Sequence, residues 1–315
     1  MLLELKGVAE THRAGADLAP PQSMPSLEIN GKRLSYAVAG VDNPGVPPVV
    51  LLHGFGGFFM DWPRVMASLA RTTRVYAIDL PGWGFSELNP STGALEDEVK
   101  VVGAFFHRLG LRNVTLCGIS YGAGVAWASA ALHLPRLGRA VLLNPMPPHP
   151  LRYLHSPIYR AIFMLNANRV MNKLGQRFLT KSQYKIICRE NLLNDRLLDS
   201  FYLNLAYLVI KQPKISTMLL RHAQGARKID WNAWEHRLAG IRVPVTIMQG
   251  ENDRIFSMKS ASYLRSLIPH AELETVAECG HAMVFDQHKR VTDTILELHR
   301  REAATPEPSS AAKRR

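Results

Sequence analysis

The stretch that most constrains this chain runs from Asn113 to Trp127: Asn-Val-Thr-Leu-Cys-Gly-Ile-Ser-Tyr-Gly-Ala-Gly-Val-Ala-Trp. Its first half is an apolar run and its second half is made of small residues. The pattern predicts a buried strand that reverses into a helix at Gly-Ile-Ser-Tyr-Gly. Gly118 and Gly122 bracket Ser120, as expected where a sharp strand-to-helix turn leaves no room for Cβ atoms beside it. The Ser120 backbone is then strained. Its hydroxyl rises above the sheet edge, next to the N–H of Tyr121 at a helix N-terminus that is ready to receive negative charge. Alone, Gly-x-Ser-x-Gly is a weak pattern, and the strand before and helix after give it weight.

Three further segments follow a consistent order. Val49-Val-Leu-Leu-His-Gly-Phe-Gly-Gly57 is a buried strand entering a glycine-rich loop, Thr246-Ile-Met-Gln-Gly-Glu-Asn-Asp253 is a strand ending in a carboxylate, and Cys279-Gly-His281 follows a final strand. Together these segments resemble the α/β-hydrolase superfamily over roughly residues 27–300, with nucleophile, acid and base in the order Ser, Asp, His. The resemblance implies an α/β fold: a mostly parallel eight-stranded sheet flanked by helices, with an inserted α-helical cap.

The catalytic residues it implies are Ser120, Asp253 and His281, with backbone N–H groups of Phe55 and Tyr121 as the oxyanion hole. His53, Gly54, Gly118 and Gly122 support the loops. Gly250-Glu-Asn-Asp-Arg-Ile-Phe256 resembles the family's acid loop and selects Asp253 over Glu251, while Gly280-His281 followed by Asp286 resembles its last motif. Leu80-Pro-Gly-Trp-Gly-Phe-Ser86 resembles a structural loop of the family, which leaves Asp79 and Ser86 as poor rivals and makes Trp83 a candidate pocket wall. Asn144 stands where some members carry the acid.

A serine at position 120 argues against the haloalkane dehalogenases and epoxide hydrolases of this superfamily, which use aspartate there. Ala282 after the histidine argues against carbon–carbon bond hydrolases, which typically have tryptophan. The expected activity is hydrolysis of small-molecule carboxylic esters with apolar acyl or alkyl groups through an acyl-enzyme on Ser120. The alternatives are a carbon–carbon bond hydrolase and a non-catalytic ligand-binding protein on the same fold.

Composition bounds the rest. With 315 residues, 47% of them hydrophobic, the chain can bury a large core. Its start lacks the sustained apolar segment of a secretory signal and no run is long enough for a membrane span, so a cytoplasmic protein is expected. Three cysteines cannot all pair and are expected as thiols, with Cys117 packed in the core. The histidines and cysteines lack metal-ligand spacing, and no cofactor is expected. His107, His133, His270 and His299 are expected to be surface or packing residues.

The net charge of +12 is uneven: residues 147–235 hold 14 Lys and Arg against 5 Asp and Glu, and residues 300–315 hold 5 against 2. Elsewhere the chain is neutral. No aromatic-interleaved basic motif accompanies the excess, which excludes a nucleic-acid reading. A peripheral contact with anionic membrane is the sharper expectation, and solvated helix faces the blander one. Nothing in the sequence fixes an oligomeric state.

The expected organisation is a loose arm over 1–26, a core over 27–145 and 236–302, a helical cap over 146–235 and a tail over 303–315. Asn30-Gly31 predicts a type I′ hairpin. Cap helices are expected over 157–174, 180–191, 197–210 and 215–224. Their apolar residues Phe163, Met164, Val170, Met171, Leu174, Phe201, Tyr202, Leu205, Tyr207 and Leu208 must pack somewhere, a minority of them around an acyl pocket.

Overall fold

The computed structural model describes residues 18–88, 94–194 and 197–304. The expected arm is thus seen only from Leu18, where Leu18 and Met24 are buried against the body. Of the expected tail only residues 303 and 304, the end of a helix, are seen, and the remainder of both lies outside the described residues.

Eight strands form the sheet: β1 (Ser26–Ile29), β2 (Lys32–Ala39), β3 (Val49–Leu52), β4 (Val75–Ile78), β5 (Val114–Ile119), β6 (Leu137–Leu143), β7 (Val245–Gly250) and β8 (Glu272–Val276). Their spatial order is β1-β2-β4-β3-β5-β6-β7-β8, antiparallel at β1/β2 and β2/β4 and parallel elsewhere. Asn30 and Gly31 turn the first hairpin with φ of 53° and 69°, the left-handed pair a type I′ turn requires. β3, β4, β5 and β7 are buried at every position, which is why they read as unbroken apolar runs rather than alternating ones.

Helices α1 (Pro63–Leu69), α2 (Leu95–Arg108) and α3 (Tyr121–Ala131) alternate with the first strands. α3 is buried all round, consistent with its run of Gly and Ala. From β6 to β7 the described residues contain seven α-helices and no strand: α4 (Pro150–Tyr153), α5 (Pro157–Asn166), α6 (Arg169–Phe178), α7 (Lys181–Asn191), α8 (Ser200–Ile210), α9 (Pro213–Gly225) and α10 (Trp231–Leu238). α11 (Met258–Leu267), α12 (Met283–Asp286) and α13 (His288–Ala304) complete the fold. None of the described helices is long and apolar enough to cross a membrane.

The single helix expected over 157–174 is two. Asn168 interrupts it, because its side chain accepts the Val170 and Met171 N–H groups and so starts α6 afresh. Thr180 and Gln183 form a reciprocal capping box on α7. Trp127 of α3 packs edge-on against Trp234 of α10 at 5.4 Å, which fixes the end of the helical segment to the body.

One buried acid stands out. Both carboxyl oxygens of Glu98 on α2 are enclosed without a hydrogen-bond partner among the described residues. Burial, helped by neighbouring Asp97, raises its pKa to about 8. A carboxyl raised in the folded state contributes stability that is fully present below its unfolded pKa and is lost as pH rises through about 8. Glu98→Gln is therefore expected to match or trail the wild type in urea unfolding near pH 5. It should exceed the wild type by roughly 1–3 kcal/mol above pH 8, since each pKa unit corresponds to about 1.4 kcal/mol. An unchanged difference between the two pH values would contradict this.

Candidate active site

β5 delivers Ser120 to the start of α3 with φ 55° and ψ −114°, a conformation that L residues rarely adopt and that costs about 1–3 kcal/mol. The surroundings hold it there. The Ser120 N–H donates to Leu143 O at 2.9 Å, and its carbonyl accepts from Gly124 and Met146. A Cβ on Gly118 would collide with the Gly122 carbonyl, and a Cβ on Gly122 with the carbonyls of Leu52 and His53. Gly54 lies so close that its Cβ would sit 3.3 Å from Ser120 Cβ.

β3 supplies the glycine loop, and His53 sets its shape from a fully buried position. Its Nδ1 donates to Gly54 O at 2.7 Å and its Nε2 accepts the Leu80 N–H at 3.0 Å, which fixes the tautomer. Burial holds its pKa down at about 4, so the ring is neutral at neutral pH. Phe55 and Tyr121 flank Ser120 on one cavity wall. Trp83, a candidate wall, instead stands behind it, 5.2 Å from the Phe55 ring and 5.5 Å from His222. Asp79 braces the same region by accepting the N–H groups of Phe59 and Phe85 at 2.6 and 2.8 Å.

The residues expected as acid and base come from the loops after β7 and β8. Asp253 Oδ2 lies 2.8 Å from His281 Nδ1, and its side chain is fully buried. The carboxylate also accepts Gln249 Nε2 at 3.0 Å and, through Oδ1, the N–H groups of Ile255 and Phe256 at 2.7 and 3.1 Å. Since a carboxylate only accepts, the ring proton sits on Nδ1 and leaves Nε2 with a lone pair. Ser120 and His281 line the same cavity, with no direct hydrogen bond between them among the described residues.

Asn144 was legible only as the absence of a rival acid, yet it ties these loops together. Its Nδ2 donates to Gly280 O and His281 O at 2.9 and 2.7 Å, and its Oδ1 accepts the Gly250 N–H at 2.7 Å. Asp286 adds a second tie by accepting the N–H groups of Gly280 and Leu193 at 2.9 and 3.1 Å, which joins the histidine loop to the helical segment. Positive φ at Asn144, 42°, is a signature that Asn tolerates and that a strand-end asparagine could have signalled.

The cavity has a volume of about 640 Å³ and a mostly apolar lining. Of the apolar residues anticipated for the helical segment, Phe163, Met171 and Tyr202 reach it, whereas Leu205 and Leu208 are packed in the core. No Lys or Arg lines it among the described residues. Two polar side chains on its wall escaped sequence reasoning. His222 on α9 donates from Nδ1 to Met218 O at 3.0 Å, and its buried Nε2 has no partner among the described residues. Burial lowers its pKa to about 4. Asp61 accepts from the Tyr202 hydroxyl at 2.7 Å, and burial raises its pKa to about 7 against the pull of that bond. Among the described residues no three His, Cys, Asp or Glu side chains cluster as metal ligands.

Comparison with known proteins agrees with this architecture. The profile of the alpha/beta hydrolase fold family matches residues 47–287. A 2-hydroxy-6-oxononadienedioate/2-hydroxy-6-oxononatrienedioate hydrolase from Burkholderia vietnamiensis is 27% identical, over 85% of this chain and 91% of that protein. The enol-lactonase from Burkholderia xenovorans superposes with a TM-score of 0.70 at 19% identity, covering 87% of this chain and 98% of its own. A protein described as a putative lipase from Acinetobacter baumannii superposes with a TM-score of 0.73 at 17% identity, covering 96% of both chains. At these identities the structural likeness establishes the fold.

Asp61 is expected to make ligand binding in the cavity depend on pH. An uncharged apolar ligand excludes water from the carboxyl and so favours its protonated form, which dominates below about 7. The affinity for Nile red is expected to fall several-fold, up to about tenfold per unit of pKa shift, between pH 6 and pH 8.5. Asp61→Asn should flatten the dependence. A pH-independent affinity in the wild type would refute the assignment.

Proposed function

The chain belongs to the alpha/beta hydrolase fold family, and on that footing we propose that it is a hydrolase in which Ser120 attacks an uncharged ester carbonyl and carries the acyl group. The observation that carries this reading is the cavity itself. Ser120 and His281 lie on an apolar wall that no Lys or Arg lines among the described residues, and its acid is Asp61. Such a lining suits a neutral acyl or alkyl group and offers no cation to pair with a carboxylate.

In this mechanism His281 Nε2 takes the proton of the Ser120 hydroxyl as Oγ bonds to the carbonyl carbon. The Asp253 carboxylate holds Nδ1–H and stabilises the imidazolium that forms. The N–H groups of Phe55 and Tyr121 receive the developing oxyanion, each contributing about 3–4 kcal/mol. The proton then passes from Nε2 to the departing alcohol, leaving the acyl-enzyme. Water gives a proton to Nε2 as it attacks, and that proton returns to Ser120 Oγ as the acid leaves. Residues 146–235 act as a cap that walls the acyl group. An odd number of cysteines, with Cys117 and Cys279 buried as thiols, fits the reducing, cytoplasmic setting expected for the chain.

The second reading is cleavage of a carbon–carbon bond next to a ketone. The names of the relatives favour it over ester hydrolysis: proteins from Paraburkholderia phymatum and Pseudomonas putida, 26% and 27% identical, bear the same dienedioate hydrolase name. Against it stands charge, because a dioate brings two carboxylates to a cavity that no Lys or Arg lines among the described residues. Parallel kcat/KM measurements on uncharged p-nitrophenyl esters from acetyl to palmitoyl and on 2-hydroxy-6-oxononadienedioate separate the two. The ester reading expects a medium-chain ester to exceed the dienedioate by at least about a hundredfold. It also expects Ser120→Ala to lose roughly a thousandfold or more together with fluorophosphonate labelling. Preference for the dienedioate would establish the second reading, and equal labelling of Ser120→Ala would overturn both.

A further inference from the structure

Nine of the eleven exposed large apolar side chains among the described residues fall between Leu151 and Leu193. A monomeric protein rarely leaves so many together without a use for them. Four of them, Met164, Val170, Met171 and Leu174, were expected to pack and are exposed instead; Met164 is 70% exposed, and Phe178 beyond them 66%. On α6, Val170, Leu174 and Phe178 follow at four-residue spacing, with Met171 beside them on the same face. Arg169, Lys173 and Arg177 run along the adjoining strip. α7 repeats the arrangement on a smaller scale, with exposed Ile186 beside Lys181, Lys185 and Arg189.

The charge around this face has one sign. Residues 150–194 hold eight Lys and Arg, all exposed, and a single acid, Glu190, which accepts from Ser156. The face also surrounds the way into the cavity. Leu151, Leu165, Met171, Phe178 and Ile186 are exposed and line the cavity at once, so they mark its rim.

We propose that the face formed by α5, α6 and α7 docks on an anionic lipid bilayer with the cavity mouth turned toward the membrane. Apolar side chains enter the acyl boundary while the flanking Lys and Arg lie at the headgroups, as in amphipathic helices that rest in an interface. A cationic strip beside exposed leucine, valine, methionine and phenylalanine matches anionic lipid both in charge and in polarity. A protein partner or a second copy of this chain would have to supply the acids that the face itself lacks. Whichever bond Ser120 attacks, apolar substrate would then reach it from the bilayer rather than from water.

Flotation of the full chain with phosphatidylcholine vesicles, with and without about one third phosphatidylglycerol, tests this. The protein is expected to float with the anionic vesicles, at least roughly tenfold less with neutral ones, and to lose most binding at molar salt, where charges are screened within about 3 Å. Met164→Ser, Val170→Ser and Leu174→Ser combined change exposed positions that do not line the cavity and should abolish flotation. Lys173→Gln with Arg177→Gln should reduce the preference for anionic lipid. Ser120→Ala should float like the wild type, which separates docking from the chemistry. Failure to float on anionic vesicles overturns the proposal, as does a triple variant that floats unchanged while keeping its melting temperature. So does a wild-type dimer in sedimentation that the triple variant splits, because the face would then belong to a second copy.

Discussion

Everything at the site depends on how closely the turn at Ser120 approaches the end of β3. Gly122 sits against the carbonyls of Leu52 and His53, and Gly118 against Gly122 itself, so a methyl group at either place would force α3 away from the sheet. That contact does two things at once. It holds the serine in a backbone conformation that would otherwise relax, and it fixes the distance between the serine and the loop that β3 supplies. Strain and proximity therefore have one origin, a main-chain contact that tolerates only glycine.

Around that contact, polar side chains do by hydrogen bonding what the glycines do by their absence of bulk. Asn144 uses three bonds to hold the ends of β6 and β7 and the histidine loop, and Gln249 aligns the acid. Asp79 and His53 perform the same service on the opposite side of the serine. Each is buried, so each missing bond would leave an unpaired group and cost about 1–3 kcal/mol. Several buried groups nevertheless have no partner among the described residues, Glu98, His222 Nε2 and the Tyr121 hydroxyl among them. His222 and Tyr121 line the cavity, whereas Arg33, Arg139 and Gln249 each keep an unpaired atom on β2, β6 and β7.

The strand-to-helix turn, the glycine loop and the hairpin at Asn30-Gly31 were legible because each rests on a local rule, an apolar run, a bracketing glycine or a left-handed pair, whereas the eight-stranded, mostly parallel sheet was expected only from the resemblance and its spatial order is set by pairings distant in the chain. Asp253 and His281 were legible as motifs, and their meeting at 2.8 Å was not, because it depends on two loops from β7 and β8 closing on one another. The split of the expected 157–174 helix was visible in principle, since Asn168 is a strong cap, but apolar periodicity continues across it and hides the break. Burial of Asp61 and His222 could not be read at all. Their neighbours come from α8, from the glycine loop and from Tyr121, all distant in the chain. The apolar faces of α5 to α7 carried the same periodicity as packed helices, and periodicity says which residues share a face without saying what covers it.

β6 and β7 lie side by side in register, Ala140 against Val245 through Leu143 against Met248, although residues 144–244, with their seven described helices, separate them in the chain. Joining two such strands through a long excursion is less costly than it looks, since closure entropy grows only logarithmically and each doubling of length adds about 0.6 kcal/mol. The helical segment is thus nearly free to change its length and its face without disturbing the pairing on either side of it. The pairing of the two strands can stay constant while the segment between them varies in length and in the side chains it exposes.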